Sequence, residues 1–339
     1  MNQIFEHKLA CGFHPRVKVD GGTGKVFVRG WEGSDVKIAA EGAEPDVSSR
    51  GDRVLVHTEE NCQLSLYLPR SCDLTIEGGN MEVDVAGISG TCNVDICDGY
   101  VALSQWQGNV HIDTTNAGVR LEQVEGNLDL DTAAGPVEVI ACQGSLTADT
   151  SAGPVKVTDC LLSLSVDTGS GDVSVSRLKG AVSIDCGSGA VELVSVNSHN
   201  LLAESGAGDI TAQLPGGNPG RWRLRSGKDV NLTVPANISA RFRLSGRNID
   251  ADSLDMEQLH QGGDKLSGTI AGGSGRVDVQ ARGKIVAQQT GPDVIIDVHQ
   301  RTENEEETLK ILAMVEQGAI SIEEAEKLID ALTGGGIDE

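Results

Sequence analysis

From Asn109 to Ser198, apolar residues return at the same places every 18 residues, with no insertion between rows. The rows read NVHIDTTNAGVRLEQVEG, NLDLDTAAGPVEVIACQG, SLTADTSAGPVKVTDCLL, SLSVDTGSGDVSVSRLKG and AVSIDCGSGAVELVSVNS. TCNVDICDGYVALSQWQG precedes them in the same register from Thr91, and residues 80–90 read as the end of an earlier row. Within a row, two apolar pairs are each split by one residue, such as Val110 with Ile112 and Val119 with Leu121. A spacing of two is a strand with one face buried. Stacking the rows gives apolar columns: Val101, Val119, Val137, Val155, Val173 and Val191 form one, and Trp106, Val124, Cys142, Cys160 and Leu178 belong to another. A fixed period over six rows predicts a solenoid whose coils each hold two or three short strands, with like residues stacked on like. A coil alone leaves its faces exposed, so coils are stable only in a stack. The expected fold class is all-β, a β-solenoid or β-helix with 18-residue coils, completed by a small C-terminal α-helical hairpin.

A polar column runs beside the apolar ones. Asp95, Asp113, Asp131, Asp149, Asp167 and Asp185 recur at the row period, and Thr114, Thr132, Thr150 and Thr168 follow four of them. Gly99, Gly135, Gly153, Gly171 and Gly189 each stand four residues after an aspartate. The pattern predicts a turn in which Asp and Thr bond the next amides and Gly supplies a positive φ. The functional alternative is a carboxylate ladder with weak cation binding, because like charges about 5 Å apart repel. The repeat lacks the nonapeptide of calcium-binding β rolls. An active site should break a repeat at one place, whereas here the same acid returns in every row. No catalytic, cofactor-binding or metal-ligating residue is therefore assigned, and the chain reads as a non-enzyme without cofactor.

The flanks depart from the period. Residues 1–80 alternate in short β-like runs separated by glycines and are expected to cap the N-terminal end of the stack. Residues 81–215 hold the regular coils, and residues 216–300 continue as irregular β structure. Between Arg221 and Arg247 stand seven basic residues and one acid, a local charge of +6. Arg221, Arg223 and Arg225 alternate with Trp222 and Leu224; Arg241 and Arg243 alternate with Phe242 and Leu244, and Arg247 follows. With the apolar partners inward, the arginines face outward. They then form either a solvated face that offsets acidic bulk or a docking face for an acidic partner, a phosphate or an anionic membrane.

Residues 301–339 carry eleven acidic and three basic side chains. Leu309, Leu312 and Val315 have helical spacing, Gly318 breaks the run, and Ser321 with Glu324 forms a capping box. Ile322, Leu328 and Leu332 mark the apolar stripe of a second helix. Two helices this short are marginal alone, so the hairpin is expected to associate with its own body, another copy or a partner.

Composition narrows the function classes. The chain has 339 residues, with 50 acidic against 27 basic, a formal charge of −23. General electrostatic binding of nucleic acid needs the opposite sign. There are 43 Gly but only 9 Pro, and the glycines lack the three-residue period of collagen. The eight cysteines show no CxxC pair, and Cys92, Cys142 and Cys160 fall in core columns as small hydrophobes. No window approaches 18 apolar residues, and the opening MNQIFEHKLACGF has no secretory core, so a reduced, cytoplasmic protein without a membrane span is expected.

The run Gly24–Trp31 (GKVFVRGW), followed by repeated Asp-Thr-x-x-Gly-x-Val rows, resembles a bacterial family of provisionally assigned adhesins of unknown function with β-strand repeats, over about residues 5–300. The tail ILAMVEQGAISIEEAEKLIDAL resembles a short helical hairpin attached to such proteins in envelope-stress contexts. The resemblance implies a β-solenoid with roles in oligomerisation, adhesion or envelope signalling, and it offers no catalytic motif. The expected function is a non-enzymatic scaffold or protein-interaction module, self-associating or binding a protein partner through the hairpin. A carbohydrate-active β-helix enzyme and a surface adhesin are the alternatives; scarce aromatics weigh against the first.

Overall fold

The computed structural model describes residues 4–58 and 62–291. The 18-residue coils are present and their register is unbroken. Val110–Thr114 pairs in parallel with Glu125–Thr132, Val110 opposite Leu128, and that strand pairs with Gln143–Thr150, Leu128 opposite Leu146. A second parallel ladder joins Gly118–Glu122 to Val137–Ile140 and then to Val155–Thr158, valine opposite valine. A third line of short contacts runs through Ser71, Ser89, Gln107 and Glu125 and resumes at Leu161, Lys179 and Asn197. Each regular coil thus carries two strands and one bridging position. Near the N-terminal end, Arg16–Trp31, Asp73–Ala86 and Cys92–Ser104 are long strands that run through both ladders.

Burial follows the alternation read from sequence. Val119, Leu121, Val137, Val139, Val155 and Val157 are all within 2 % of full burial. Trp106 is fully buried, and its indole N–H donates to the Gly90 carbonyl at 3.1 Å. Placing its one polar atom on a backbone acceptor removes the desolvation cost of the ring.

Two corners close each coil by different means. After the second strand comes one left-handed residue: Gln105, Gln123, Ala141, Asp159, Arg177 and Ser195 all have φ between 49° and 57°. Each costs about 1 kcal/mol relative to Gly, and Gln105, Gln123, Ala141, Asp159 and Arg177 donate their amides to the next coil, as Ala141 does to the Thr158 carbonyl at 3.1 Å. The other corner follows the Asp-Thr pair. Here the turn-capping expectation for aspartate is corrected. The aspartates point outward and the threonines inward. Thr150 Oγ1 donates to the Gly153 carbonyl at 3.0 Å or to Thr168 Oγ1 at 2.9 Å, and Thr168 Oγ1 accepts from the Gly171 amide at 3.0 Å. Thr114, Thr132, Thr150 and Thr168 form a buried hydroxyl column that Cys186, Ser205 and Ser226 continue. In the glycine column Gly99 has the expected positive φ, 109°, and the other four are corrected. Gly135, Gly153, Gly171 and Gly189 are not among the positive-φ glycines. They are small because a Cβ would meet the carbonyl oxygen of the preceding coil at 1.8–2.1 Å.

At both ends, stacking order departs from chain order. Arg16–Trp31 lies between Asp73–Ala86 on one side and the strands Arg53–Thr58 and Cys62–Pro69 on the other. At the far end, Gly275–Ala281 and Lys284–Thr290 slot between Arg221–Ser226 with Val230–Pro235 and Ala240–Ser245 with Asn248–Asp250. The edge strands Ile4–Ala10, Asp46–Arg50 and Glu257–Gly262 pair antiparallel with their neighbours, whereas the short edge strand Asn248–Asp250 pairs parallel. Reversing direction ends the parallel stack, and the bulge in Glu257–Gly262 spoils that strand as a template for further pairing.

The expected hairpin residues Leu309, Leu312, Val315, Ile322, Leu328 and Leu332 lie outside the described residues.

Candidate functional site

The arginine strands meet at the C-terminal coils. Trp222, Leu224 and Phe242 are fully buried and Leu244 is 2 % exposed, so alternation sends Arg221, Arg223, Arg225, Arg241 and Arg243 to the outside. The two arginine strands are not neighbours. Gly275–Ala281 runs between them and adds an arginine of its own. Arg221 pairs with Arg276, and Arg276 pairs with Arg241, so three guanidinium-bearing residues occupy successive rungs about 4.8 Å apart. The next row reads Arg223, Asp278, Arg243, and the third reads Arg225, Gln280, Ser245.

These arginines differ in what neutralises them. Arg225 Nη1 is 2.8 Å from Glu204 Oε1. Arg276 Nε is 2.6 Å from Asp278 Oδ2. Among the described residues, Arg221, Arg223, Arg241 and Arg243 have no carboxylate within ion-pair distance. Arg247 is exposed in the turn after Ala240–Ser245, its amide bonded to the Gly283 carbonyl at 3.1 Å.

Arg221, Arg241, Arg243 and Arg276 line a depression of about 340 Å³ together with Asn218 and Ser274. Its floor is braced: Ser274 Oγ is 2.9 Å from Ser239 Oγ and 3.1 Å from the Ser239 carbonyl. The amides around it are already committed: Gly220 to Asn218 Oδ1, Arg276 to the Gly220 carbonyl, and Gly275 to the Ser239 carbonyl. The donors left for a ligand are the guanidinium groups and the side-chain N–H of Asn218. Sequence reasoning missed Arg276, which stands 55 residues from its partner Arg221. A signal was present: Gly220-Arg221-Trp222, Ala240-Arg241-Phe242 and Gly275-Arg276-Val277 share a small-Arg-apolar opening.

The aspartate column has a different geometry. Register places Glu77, Asp95, Asp113, Asp131, Asp149, Asp167, Asp185 and Glu204 in one line across consecutive strands. Burial, and then the neighbouring charges of Asp167, Asp131 and Asp129, raise the Asp149 carboxyl above its ordinary value. Among the described residues, no group of three or more His, Cys, Asp or Glu has an arrangement that would hold a metal ion.

Residues 35–283 match the family model described as Toastrack DUF4097, and residues 306–336 match a SHOCT-like domain. Two solved structures share low similarity with the chain. One is a provisionally assigned cell adhesion protein from Clostridium sporogenes, 9 % identical, covering 86 % of this chain and 100 % of that one, with a TM-score of 0.18. The other is a provisionally assigned adhesin from Parabacteroides merdae, 10 % identical, covering 86 % and 96 %, with a TM-score of 0.27. No curated protein matches the chain.

Proposed function

We propose, for a chain that belongs to the Toastrack DUF4097 family, a non-catalytic scaffold whose β body presents an arginine face to an acidic protein partner. The supporting observation is the placement of Arg221, Arg223, Arg241 and Arg243, which have no carboxylate within ion-pair distance among the described residues of a protein of net charge −23. A face of one sign on a body of the other steers association and suppresses wrong partners. In this reading the segment matching the SHOCT-like domain folds as an acidic helical hairpin and is the second contact, joining copies of the chain or binding a further protein in envelope-stress signalling. The compartment proposed is the cytoplasm: all eight cysteines are unpaired, and six are buried as small hydrophobes. No helix among the described residues is long and apolar enough to cross a membrane.

The test is sedimentation of the full chain at low and high salt, beside Arg223→Glu with Arg243→Glu and a separate Leu309→Asp with Leu328→Asp variant. A mass above the monomer that falls with salt and with either double substitution supports the reading. A monomer under all conditions removes self-association. Capture of an acidic protein from the host that is unchanged by the arginine reversals overturns the docking face.

A further inference from the structure

Three rungs of arginine on adjacent strands are an unfavourable arrangement in isolation. Arg221, Arg276 and Arg241 follow one another across the sheet, Arg243 flanks them, and one carboxylate, Asp278, stands among them. Four arginines less one aspartate leave +3 around a depression of about 340 Å³. On the neighbouring strand the residues opposite Arg221, Arg223 and Arg225 are Asn200, Leu202 and Glu204, and the acidic column stops at Glu204. Like charges this close repel unless an anion completes the site.

Two features make this a built pocket rather than a chance cluster. Asp278 is only 15 % exposed and engages Arg276 through Nε, which leaves the two terminal nitrogens of that guanidinium without a carboxylate partner among the described residues. The loop beneath is drawn tight. Gly272 and Gly273 have φ of 80° and 65°, a Cβ on Gly275 would meet Pro219 Cδ at 2.5 Å, and the Ser239–Ser274 bonds lock the turn.

We infer that this pocket binds a phosphoryl group, held by Arg221, Arg241 and Arg276 with Arg243 at the rim. The charge count favours phosphoryl over carboxylate. A carboxylate brings one charge and two oxygens, enough for a single bidentate arginine. A phosphoryl group brings a charge of about −1.5 to −2 and three acceptor oxygens, which suits guanidinium groups arriving from three strands. The inference rests on the docking reading in placing the phosphoryl group on a protein partner, and its own test is separable from that reading.

The experiment is calorimetric titration of the full chain at constant ionic strength with three probes: inorganic phosphate, an acidic peptide carrying one phosphoserine, and the same peptide with Glu in its place. The expected result is that the phosphopeptide binds at least about 10-fold more tightly than the Glu peptide. Inorganic phosphate should compete with it. Arg241→Gln and Arg276→Gln should each weaken phosphate binding at least about 10-fold with unchanged melting temperature, while Arg53→Gln at the opposite end leaves it intact. Arg276→Lys, which retains charge without the fork, should also weaken it. Binding of inorganic phosphate alone, lost in Arg276→Gln, supports the pocket and assigns it to free phosphate. Equal binding of the Glu peptide and phosphopeptide overturns the inference while sparing the acidic docking face. So does phosphate binding that Arg241→Gln and Arg276→Gln leave unchanged, or no binding of either phosphate probe.

Discussion

Arg225 Nη1 lies 2.8 Å from Glu204 Oε1 on the neighbouring parallel strand, and at this pair a line of acidic side chains ends. From Glu77 to Glu204 the register puts a carboxylate opposite a carboxylate in every coil. Hydrophobic columns beneath hold the coils in that register although the outer charges oppose it. The Arg225 pair therefore marks the boundary between an acidic flank and the arginine pocket.

Asp149 should make its own contribution to stability fall as pH rises just above the ordinary carboxylate range. Asp149 has its pKa raised from 3.8, by burial first and by Asp167, Asp131 and Asp129 next. An acid with a raised folded-state pKa binds its proton more tightly in the folded chain. Its contribution is fully present below the unfolded value and is lost as pH rises through the folded value. Urea midpoints should therefore be raised by Asp149→Asn at pH 7. The gain should be below about 0.5 kcal/mol, because the side chain is exposed and screened. Added salt should stabilise wild type more than the variant. A lower midpoint for the variant at pH 7 would refute repulsion along the line.

Close stacking at glycine should be costly to disturb. A Cβ on Gly126 would meet the Gly108 carbonyl oxygen at 1.9 Å, and its φ is 148°. Gly51 also has a positive φ, 66°, but nothing lies within 4 Å of its Cβ position. Gly51→Ala should cost about 1 kcal/mol from backbone strain alone. Gly126→Ala should cost several kcal/mol or prevent folding, since it must also push two coils apart. Chemical denaturation of the two variants compares strain with strain plus collision.

The buried hydroxyl column gives a third expectation. Thr150→Val retains shape but leaves Thr168 Oγ1 or the Gly153 carbonyl short of a donor. A loss of about 1–3 kcal/mol is expected, and Thr150→Ser should recover most of it. Equal midpoints for all three proteins would show that the hydroxyl is idle.

Thiol reactivity should separate the cysteines cleanly. Cys97 is exposed, Cys11 is half-buried, and the other six are buried. Burial pushes Cys72 and Cys92 up to about 12, and Cys160 is raised by its contact with Cys142 and by burial. With a disulfide reagent at pH 8, Cys97 should label first, Cys11 more slowly, and the rest only on unfolding. Fast labelling of Cys142 or Cys160 in the folded chain would contradict the packing.

The coil period was legible because identical columns must stack at identical register; Val137 over Val155 leaves little choice. The roles at the Asp-Thr corner were harder to read. Asp and Thr both bond turn amides, and only the phase of the strand shows that Thr114 faces inward while Asp113 faces out. The end coils were hidden for another reason. A strand that pairs far from its neighbours in sequence leaves no local periodicity, so the small-Arg-apolar opening that Arg276 shares with Arg221 and Arg241 marked a kinship but not the order of the three strands. Of the six arginines expected on one face, Arg221, Arg241 and Arg243 line the pocket, Arg223 stands beside Asp278, Arg225 is engaged by Glu204, and Arg247 lies in a turn.

The coil formed by Gly275–Ala281 and Lys284–Thr290 is the last to leave the body, yet it is flanked on both sides by earlier coils. A rope finished this way has its free end tucked under the outer turn. Traction applied beyond Thr290 first meets the row of backbone bonds to Val230–Pro235, and at Lys284–Val286 a second row, to Asn248–Asp250, is added. A pull on that end is therefore borne first by an earlier coil of the chain and not by the outermost one.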